Sequence, residues 1–275
     1  MDRKKRLLVF HPYLATYRID VYNRFTQDYE VKVVLTGHPD EIVNLGFSLE
    51  KVNLQAKFDY KYYNKGIYVG RHLLSLVYVK AIKEFRPDIV LAHEYGINTL
   101  AAILSRWFYK FKLFLTCDDS LQMAQEYSNR RKLLRNFIVS HVDGFFVVST
   151  KTKEFLNELY PKAHCQFIYF PIIQNDVYLE QKINANKEKA EEYIRKYQLE
   201  NKKILLYVGR FDPVKNIPLL LNAYAEIKND EMRLVLVGDG EMKPTVREKI
   251  KKLNIENEVI QTGALYGDDL YAWYY

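Results

Sequence analysis

The chain has 275 residues, 48% of them hydrophobic and 15% aromatic, and a formal charge of +7. That length suits two ordinary domains or one large one, and the composition excludes a disordered chain. Two cysteines with no CxxC or Cys/His spacing argue against a disulfide framework or zinc module, and no window nears the roughly 18 apolar residues of a membrane span. The apolar stretch 7–10, ahead of His11-Pro12, is too short for the core of a signal peptide. A reduced, cytosolic setting follows, and the basic excess favours anionic partners such as nucleotides, phosphorylated sugars or an acidic membrane surface.

Apolar, β-branched runs alternate with helical patterns along the chain. "RLLVF" (6–10) predicts a strand, 18–29 a helix and "VKVVLT" (31–36) a strand. A helix over 70–85 stops near Pro87, ahead of the strand "DIVLAH" (88–93). Helix 96–109, strand "KLFLT" (112–116), helix 121–140, strand "GFFVVS" (144–149) and helix 151–159 follow. Strands alternating with helices imply crossovers and a parallel sheet covered on both faces.

The pattern weakens over 170–190, where Asn, Gln and Lys replace apolar clusters, and this segment reads as a connection into a helix over 187–199. A second alternation begins with "KILLYVG" (203–209), then helix 216–228, "RLVLVG" (233–238), helix 241–253, "EVIQTG" (258–263) and a last helix in "GDDLYAWYY". The expectation is an α/β chain of two Rossmann-like domains with parallel sheets facing a cleft. Residues 1–170 form the first domain, 171–200 the connection and 201–275 the second. Three strands make a narrow sheet and the last helix has no C-terminal cap signal, so the second domain reads as incomplete.

In open α/β sheets, ligands bind beyond the carboxyl ends of the strands. "YVGRFDPVKNIPLLL" (207–221) occupies such a place. Gly209 allows a close approach, Asn216 is a candidate N-cap and Pro218 suits the first helical turn. Arg210 and Lys215 then flank a helix start whose free N–H groups favour an anion such as a diphosphate. The alternative is a solvated turn in which Arg210 pairs with Asp212.

In order, "YVGRFDPVKNIPLLLNAYAEI", "RLVLVGDGEMKPTVREKI" and "NEVIQTGALYGDDLYAWY" resemble the C-terminal domain of family 4 glycosyltransferases of the GT-B fold. The first half is similar more loosely, through "DIVLAHEYG" (88–96), "LFLTCDDS" (113–120) and "FFVVSTKTKEFL" (145–156). The resemblance implies that Arg210 and Lys215 hold the donor pyrophosphate, beside Gly209, with the backbone at Leu265 near the base. It implies retaining transfer of a sugar from a nucleotide-sugar to a glycan or lipid-linked acceptor, in surface polysaccharide biosynthesis such as that of lipopolysaccharide. The nucleotide-sugar is a co-substrate, and no metal or other cofactor is expected.

Departures from the family pattern bear on the site. Its Glu-x7-Glu element has no counterpart in this chain. The first loop is "HPYLATYR" (11–18) where many members are glycine-rich. Asp118 stands where many members carry a histidine near the sugar, so it is the catalytic candidate. It can accept a hydrogen bond from a sugar hydroxyl, or it can cap a helix together with Asp119 and Ser120. "GDGE" (238–241) is a strand-to-helix turn whose Asp239 reads as structural.

In GT-B enzymes the first domain faces the acceptor, which makes His11, Arg18, Glu94 and Tyr95 the acceptor-side candidates. His11 can equally cap the adjacent helix. "YSNRRKLLRNFIVSHV" (127–142) sets Leu133, Leu134, Phe137 and Ile138 at helical spacing beside four cations. Such a stripe is most often core. A basic amphipathic helix also suits an anionic membrane surface, so peripheral contact at the inner face of a membrane is the secondary expectation. No nucleic-acid-binding pattern is present. The alternative functions are a non-catalytic nucleotide- or partner-binding fragment and a nucleotide-sugar epimerase of the same fold.

Overall fold

The computed structural model describes residues 3–14, 16–37, 55–63, 65–69, 72–117, 128–161, 165–170 and 175–275. The chain divides into two compact units, Met1–Gln174 and Asn175–Tyr275. The first unit runs β1 (Lys5–His11), α1 (Thr16–Phe25), β2 (Tyr29–Leu35), β3 (Asp59–Tyr62), β4 (Ile67–Val69), β5 (His72–Leu74) and α2 (Val77–Phe85). It continues with β6 (Ile89–His93), α3 (Ile97–Ser105), β7 (Lys112–Cys117), α4 (Asn129–Val139), β8 (Gly144–Val147), α5 (Thr150–Leu159) and β9 (Gln166–Tyr169).

Seven of these strands form one parallel sheet in the order β3-β2-β1-β6-β7-β8-β9. The pleat sends alternate residues to opposite faces. Leu7 and Val9 of β1 pack with Ile19 and Tyr22 of α1, whereas Leu8 and Phe10 pack with Tyr78 and Ile82 of α2. The winding direction reverses between β1 and β6, so the topological switch point lies at their carboxyl ends.

At the amino ends, aspartates tie neighbouring strands together. Asp88 accepts from the Arg6 N–H at 2.8 Å. Asp143 accepts from the Leu113 N–H at 2.8 Å and pairs with Lys112 at 3.0 Å and Arg106 at 3.2 Å. Burial alone would raise the Asp143 pKa, but the Leu113 N–H, Lys112 and Arg106 outweigh it and hold the carboxyl below its ordinary value.

Several expected elements change. The helix over 70–85 starts only at Val77, because residues 67–69 pair with 72–74 as the antiparallel ladder β4–β5 and the Ser75 hydroxyl takes the Val77 N–H. Helix 18–29 ends at Phe25 and helix 96–109 at Ser105, each followed by hydrogen-bonded turns. Of helix 121–140, residues 121–127 lie outside the described residues. The stripe on α4 is core only at its end: Ile138 and Val139 are buried, but Leu133 is 70% exposed and Phe137 47%. The helix rests on the unit through its last turn, which leaves the earlier apolar side chains uncovered.

The second unit runs α6 (Asp176–Asn184), α7 (Lys187–Lys196), β10 (Lys203–Val208), α8 (Ile217–Ile227), β11 (Met232–Val237), α9 (Lys243–Lys252), β12 (Val259–Gly263) and α10 (Asp268–Tyr274). Helix α6 stands where the sequence suggested an irregular connection, and the Asn175 side chain caps it through the Tyr178 N–H at 2.9 Å. The parallel sheet β10-β11-β12 again divides its residues between faces. Leu234 and Leu236 meet α8 and α9, while Val235 and Val237 meet Leu199 and Trp273. Trp273 stacks on Tyr193 at 5.0 Å between ring centroids, so the terminal helix contributes to this second core.

The turns at the carboxyl ends of these strands are stitched together. Gly209 N–H donates to the Val237 carbonyl at 3.0 Å, Gly238 N–H to Gly263 at 2.8 Å and Phe211 N–H to Asp239 at 2.9 Å. A Cβ on Gly238 would stand 1.9 Å from the Gly209 carbonyl oxygen, and its φ of +153° is one that side chains rarely adopt.

Two outcomes follow for stability. Gly238→Ala is expected to cost about 3 kcal/mol, read by urea unfolding, because backbone must move to admit the methyl group. Asp143→Asn is expected to cost about 2 kcal/mol at neutral pH. The folded carboxyl titrates below the unfolded one, so Asp143 contributes fully above the unfolded pKa and loses its contribution as pH falls through the folded value. The difference between wild type and Asp143→Asn should therefore shrink below about pH 4 in melts taken as a function of pH.

Candidate functional site

Two clusters of polar side chains stand at strand carboxyl ends, one in each unit. In the second unit, Phe211 is 1% exposed and anchored in the core, which fixes the loop on either side of it. Arg210 precedes this anchor and is exposed, with its guanidinium 2.9 Å from Asp212. The pairing that spacing alone offered as an alternative therefore forms. Both ends are partly solvated, so the pair contributes little and can be exchanged for a stronger anion.

Lys215 ends a short 3-10 turn (Pro213–Lys215), is exposed and has no ion-pair partner among the described residues. Asn216 occupies the position before α8 but does not cap it with its side chain. It adopts a left-handed conformation (φ 47°), which asparagine tolerates, and so turns the chain into the helix. The first turn of α8 thus opens beside Lys215 without a side-chain cap.

Asp239 is a structural group in this geometry. It accepts from the Gly240 N–H at 2.8 Å and pairs closely with Lys243, and that ammonium first, then the backbone N–H, holds its carboxyl below the ordinary range. Leu265 is half-buried and packs against the Val235–Trp273 core, which holds the 263–267 segment at the end of β12.

In the first unit, the switch point brings together residues far apart in sequence. His11 ends β1 and His93 ends β6, with their rings 4.3 Å apart between centroids. His11 Nδ1 hydrogen-bonds the Tyr13 carbonyl. Burial first, then electrostatic repulsion from His93 and Arg18, holds its pKa well below the ordinary imidazole value. His93 Nδ1 lies 3.2 Å from the Thr116 hydroxyl and Nε2 lies 3.7 Å from the Glu94 carboxylate. Asn98, on the first turn of α3, makes reciprocal bonds at 3.1 Å with the His93 backbone N–H and carbonyl. Glu94 itself is left-handed (φ 51°), a conformation that turns its half-exposed side chain back toward His93.

Arg18, in the first turns of α1, is 5% exposed. Its guanidinium lies over the Phe170 ring at 5.2 Å, and its Nε has no hydrogen-bond partner. The sequence candidates His11, Arg18 and Glu94 therefore share one edge, and His93 joins them. Tyr95 does not. Its ring is 9% exposed in the core, with its hydroxyl 4.0 Å from Cys117 Sγ and Arg135 stacked over it at 4.0 Å, because the Glu94 turn directs the next residue inward. Asp118, the catalytic candidate, lies outside the described residues. Among the described residues, no group of three or more His, Cys, Asp or Glu is placed to hold a metal ion.

Comparison with known proteins agrees with this architecture. The model of Glycosyltransferase Family 4 matches residues 15–172, and that of glycosyl transferases group 1 matches residues 189–275. A Campylobacter jejuni relative, N-acetylgalactosamine-N,N'-diacetylbacillosaminyl-diphospho-undecaprenol 4-alpha-N-acetylgalactosaminyltransferase, is 31% identical over 158 residues, covering 51% of this chain and 42% of the relative. The chain spans about half the length, or less, of the curated relatives it matches.

Among solved structures, the Anabaena HepE protein in complex with UDP has a TM-score of 0.72 at 15% identity, over 98% of this chain and 71% of that one. The UDP-GlcNAc 2-epimerase of Neisseria meningitidis, bound to UDP-GlcNAc, has a TM-score of 0.53 at 19% identity, over 97% and 74%. The fold is GT-B. With more than half its length matched by one family model and most of the remainder by the other, the chain belongs to Glycosyltransferase Family 4 and carries a group 1 glycosyl transferase domain.

Proposed function

We propose that this chain acts as a retaining glycosyltransferase, moving a sugar from a nucleotide-sugar to a glycan or lipid-linked acceptor in surface polysaccharide biosynthesis. The observation that carries the reading is the second unit's rigid turn, which presents Arg210 and Lys215 at an uncapped helix start. As the glycosidic bond to the nucleotide breaks, negative charge grows on the diphosphate. Fixed cations and helix N–H groups aimed at that charge stabilise it, and the reading requires no metal cofactor. Gly209 and the backbone at Leu265 would border the nucleotide, and Asp118 would accept a hydrogen bond from the transferred sugar. His11, Arg18 and Glu94 would meet the acceptor.

A UDP donor is supported by the solved neighbours, one in complex with UDP and one bound to UDP-GlcNAc. The diphospho-undecaprenol in the Campylobacter relative's name supports a lipid-linked acceptor. The epimerase neighbour carries a second reading, in which the sugar is rearranged on the nucleotide. Incubation with UDP-sugars alone separates the two, since an epimerase produces a new UDP-sugar with no acceptor present.

A lipid-linked acceptor agrees with the surface at α4. Trp107 is 83% exposed and Phe108 81%, just past α3. Trp107 and His141 line one pocket, and the His141 ring lies 4.4 Å from that of Phe137 on α4, whose exposed face also carries Arg130, Arg131 and Lys132. Aromatics beside cations suit an anionic headgroup layer. No described helix is long and apolar enough to cross a membrane, so the contact we infer is peripheral, at the inner face.

Arg210→Ala should weaken UDP binding about tenfold or more in calorimetry, and lower kcat/KM about 10²–10³-fold where transfer is measured. Asp212→Asn should leave UDP affinity unchanged or slightly tighter, because it frees the guanidinium. Equal affinity of wild type and Arg210→Ala would sink the role of the turn. In vesicle sedimentation, the double variant Trp107→Ala/Phe108→Ala should bind phosphatidylglycerol liposomes roughly tenfold more weakly than wild type. Neither protein should sediment with purely zwitterionic liposomes.

A further inference from the structure

Arg18 is the most anomalous charge among the described residues. It is 5% exposed, its Nε has no hydrogen-bond partner, and no carboxylate pairs with it among the described residues. A guanidinium does not shed its proton to escape burial, as a lysine or histidine can. Taking it out of water is costly unless a counter-charge compensates. The Phe170 ring, 5.2 Å away, offsets only part of that cost.

The place of this charge matters as much as its burial. Arg18 lies near enough to His11 for its charge to act on the imidazole. His11 in turn lies against His93 across the switch point between β1 and β6. That edge is where open parallel sheets bind ligands. It therefore gathers one permanent cation and two imidazole rings. The nearest carboxylate named there, Glu94, is half-exposed and paired with His93.

We propose that the switch point of the first unit binds a phosphate or diphosphate group, with Arg18 as its cation and the His11 and His93 rings flanking it. These residues lie on a different unit from the Arg210–Lys215 turn. The inferred binding rests on the acceptor-side reading only for the source of the phosphate, which is either a diphosphate-linked acceptor or the donor's own diphosphate.

The test uses the full 275-residue chain with Arg210→Ala and Lys215→Ala combined, which silences the second-unit turn. Inorganic pyrophosphate is titrated by calorimetry. The expected result is residual binding that falls at least tenfold when Arg18→Met is added and is largely kept with Arg18→Lys. Arg18→Met preserves the contact with Phe170 and removes an uncompensated charge, so the ligand-free chain should melt at the same or a higher temperature. No residual binding, or residual binding unaffected by Arg18→Met, would overturn the proposal. A marked fall in melting temperature with Arg18→Met would also count against it, since it would mean that Arg18 serves the fold.

Geranyl diphosphate and UDP, titrated into the same background, distinguish the two sources by which of them depends on Arg18. The donor-turn reading is judged separately, by Arg210→Ala alone, so either reading can fail without the other.

Discussion

No side chain larger than hydrogen fits at Gly238, and the turn that carries Arg210 and Lys215 depends on that. With its Cβ position 1.9 Å from the Gly209 carbonyl oxygen, the turn after β11 presses directly on the turn after β10. Phe211 then locks the contact by entering the core, where it is 1% exposed. A polar loop would ordinarily move. Here its middle residue is a core residue, so Arg210 and Lys215 leave from an anchored backbone. That is the condition under which fixed charges can stabilise a developing diphosphate without paying for their own reorganisation.

The two arginines of interest occupy opposite electrostatic regimes. Arg210 is exposed and paired with Asp212 at 2.9 Å. Water screens that pair, so exchanging Asp212 for a doubly charged ligand costs little. Arg18 is buried and uncompensated, so an arriving anion gains both its own attraction and relief of an existing penalty. The first arrangement suits a ligand that must enter and leave on every turnover. The second favours retention of an anionic group in one orientation.

Much of the fold was legible because buried parallel strands read as apolar runs. β1, β6, β7, β8, β10, β11 and β12 all announce themselves this way. β3 and β9 did not, because they are edge strands with mostly polar or half-exposed residues. Helix α6 buries no residue, so it has no apolar period to detect. The β4–β5 ladder was hidden because "HLLSLVYVK" supports a helical period as well as a paired strand. In the candidate site, the exchangeable Arg210–Asp212 pair followed from spacing. His93 was missed because its relation to His11 exists only through strand order, which places β6 beside β1. Tyr95, expected to face the edge, is buried instead, because a left-handed residue before it reverses the side-chain direction that a strand end suggests.

On the proposed reading, the two units apply one architecture to two kinds of recognition. In the second, Gly238, Gly240, Gly263 and Gly267 all have positive φ at the strand-to-helix turns, so these turns approach a ligand with backbone. In the first, the loop after β1 begins His-Pro-Tyr-Leu and has no glycine, so side chains occupy that space. Backbone turns accept a diphosphate by shape and leave what is attached to it to other contacts. A side-chain edge built from a guanidinium and two imidazoles selects by charge and by protonation state. Discrimination among anionic groups is therefore better supported by the first unit, even though the sequence signal that identifies the family is stronger in the second.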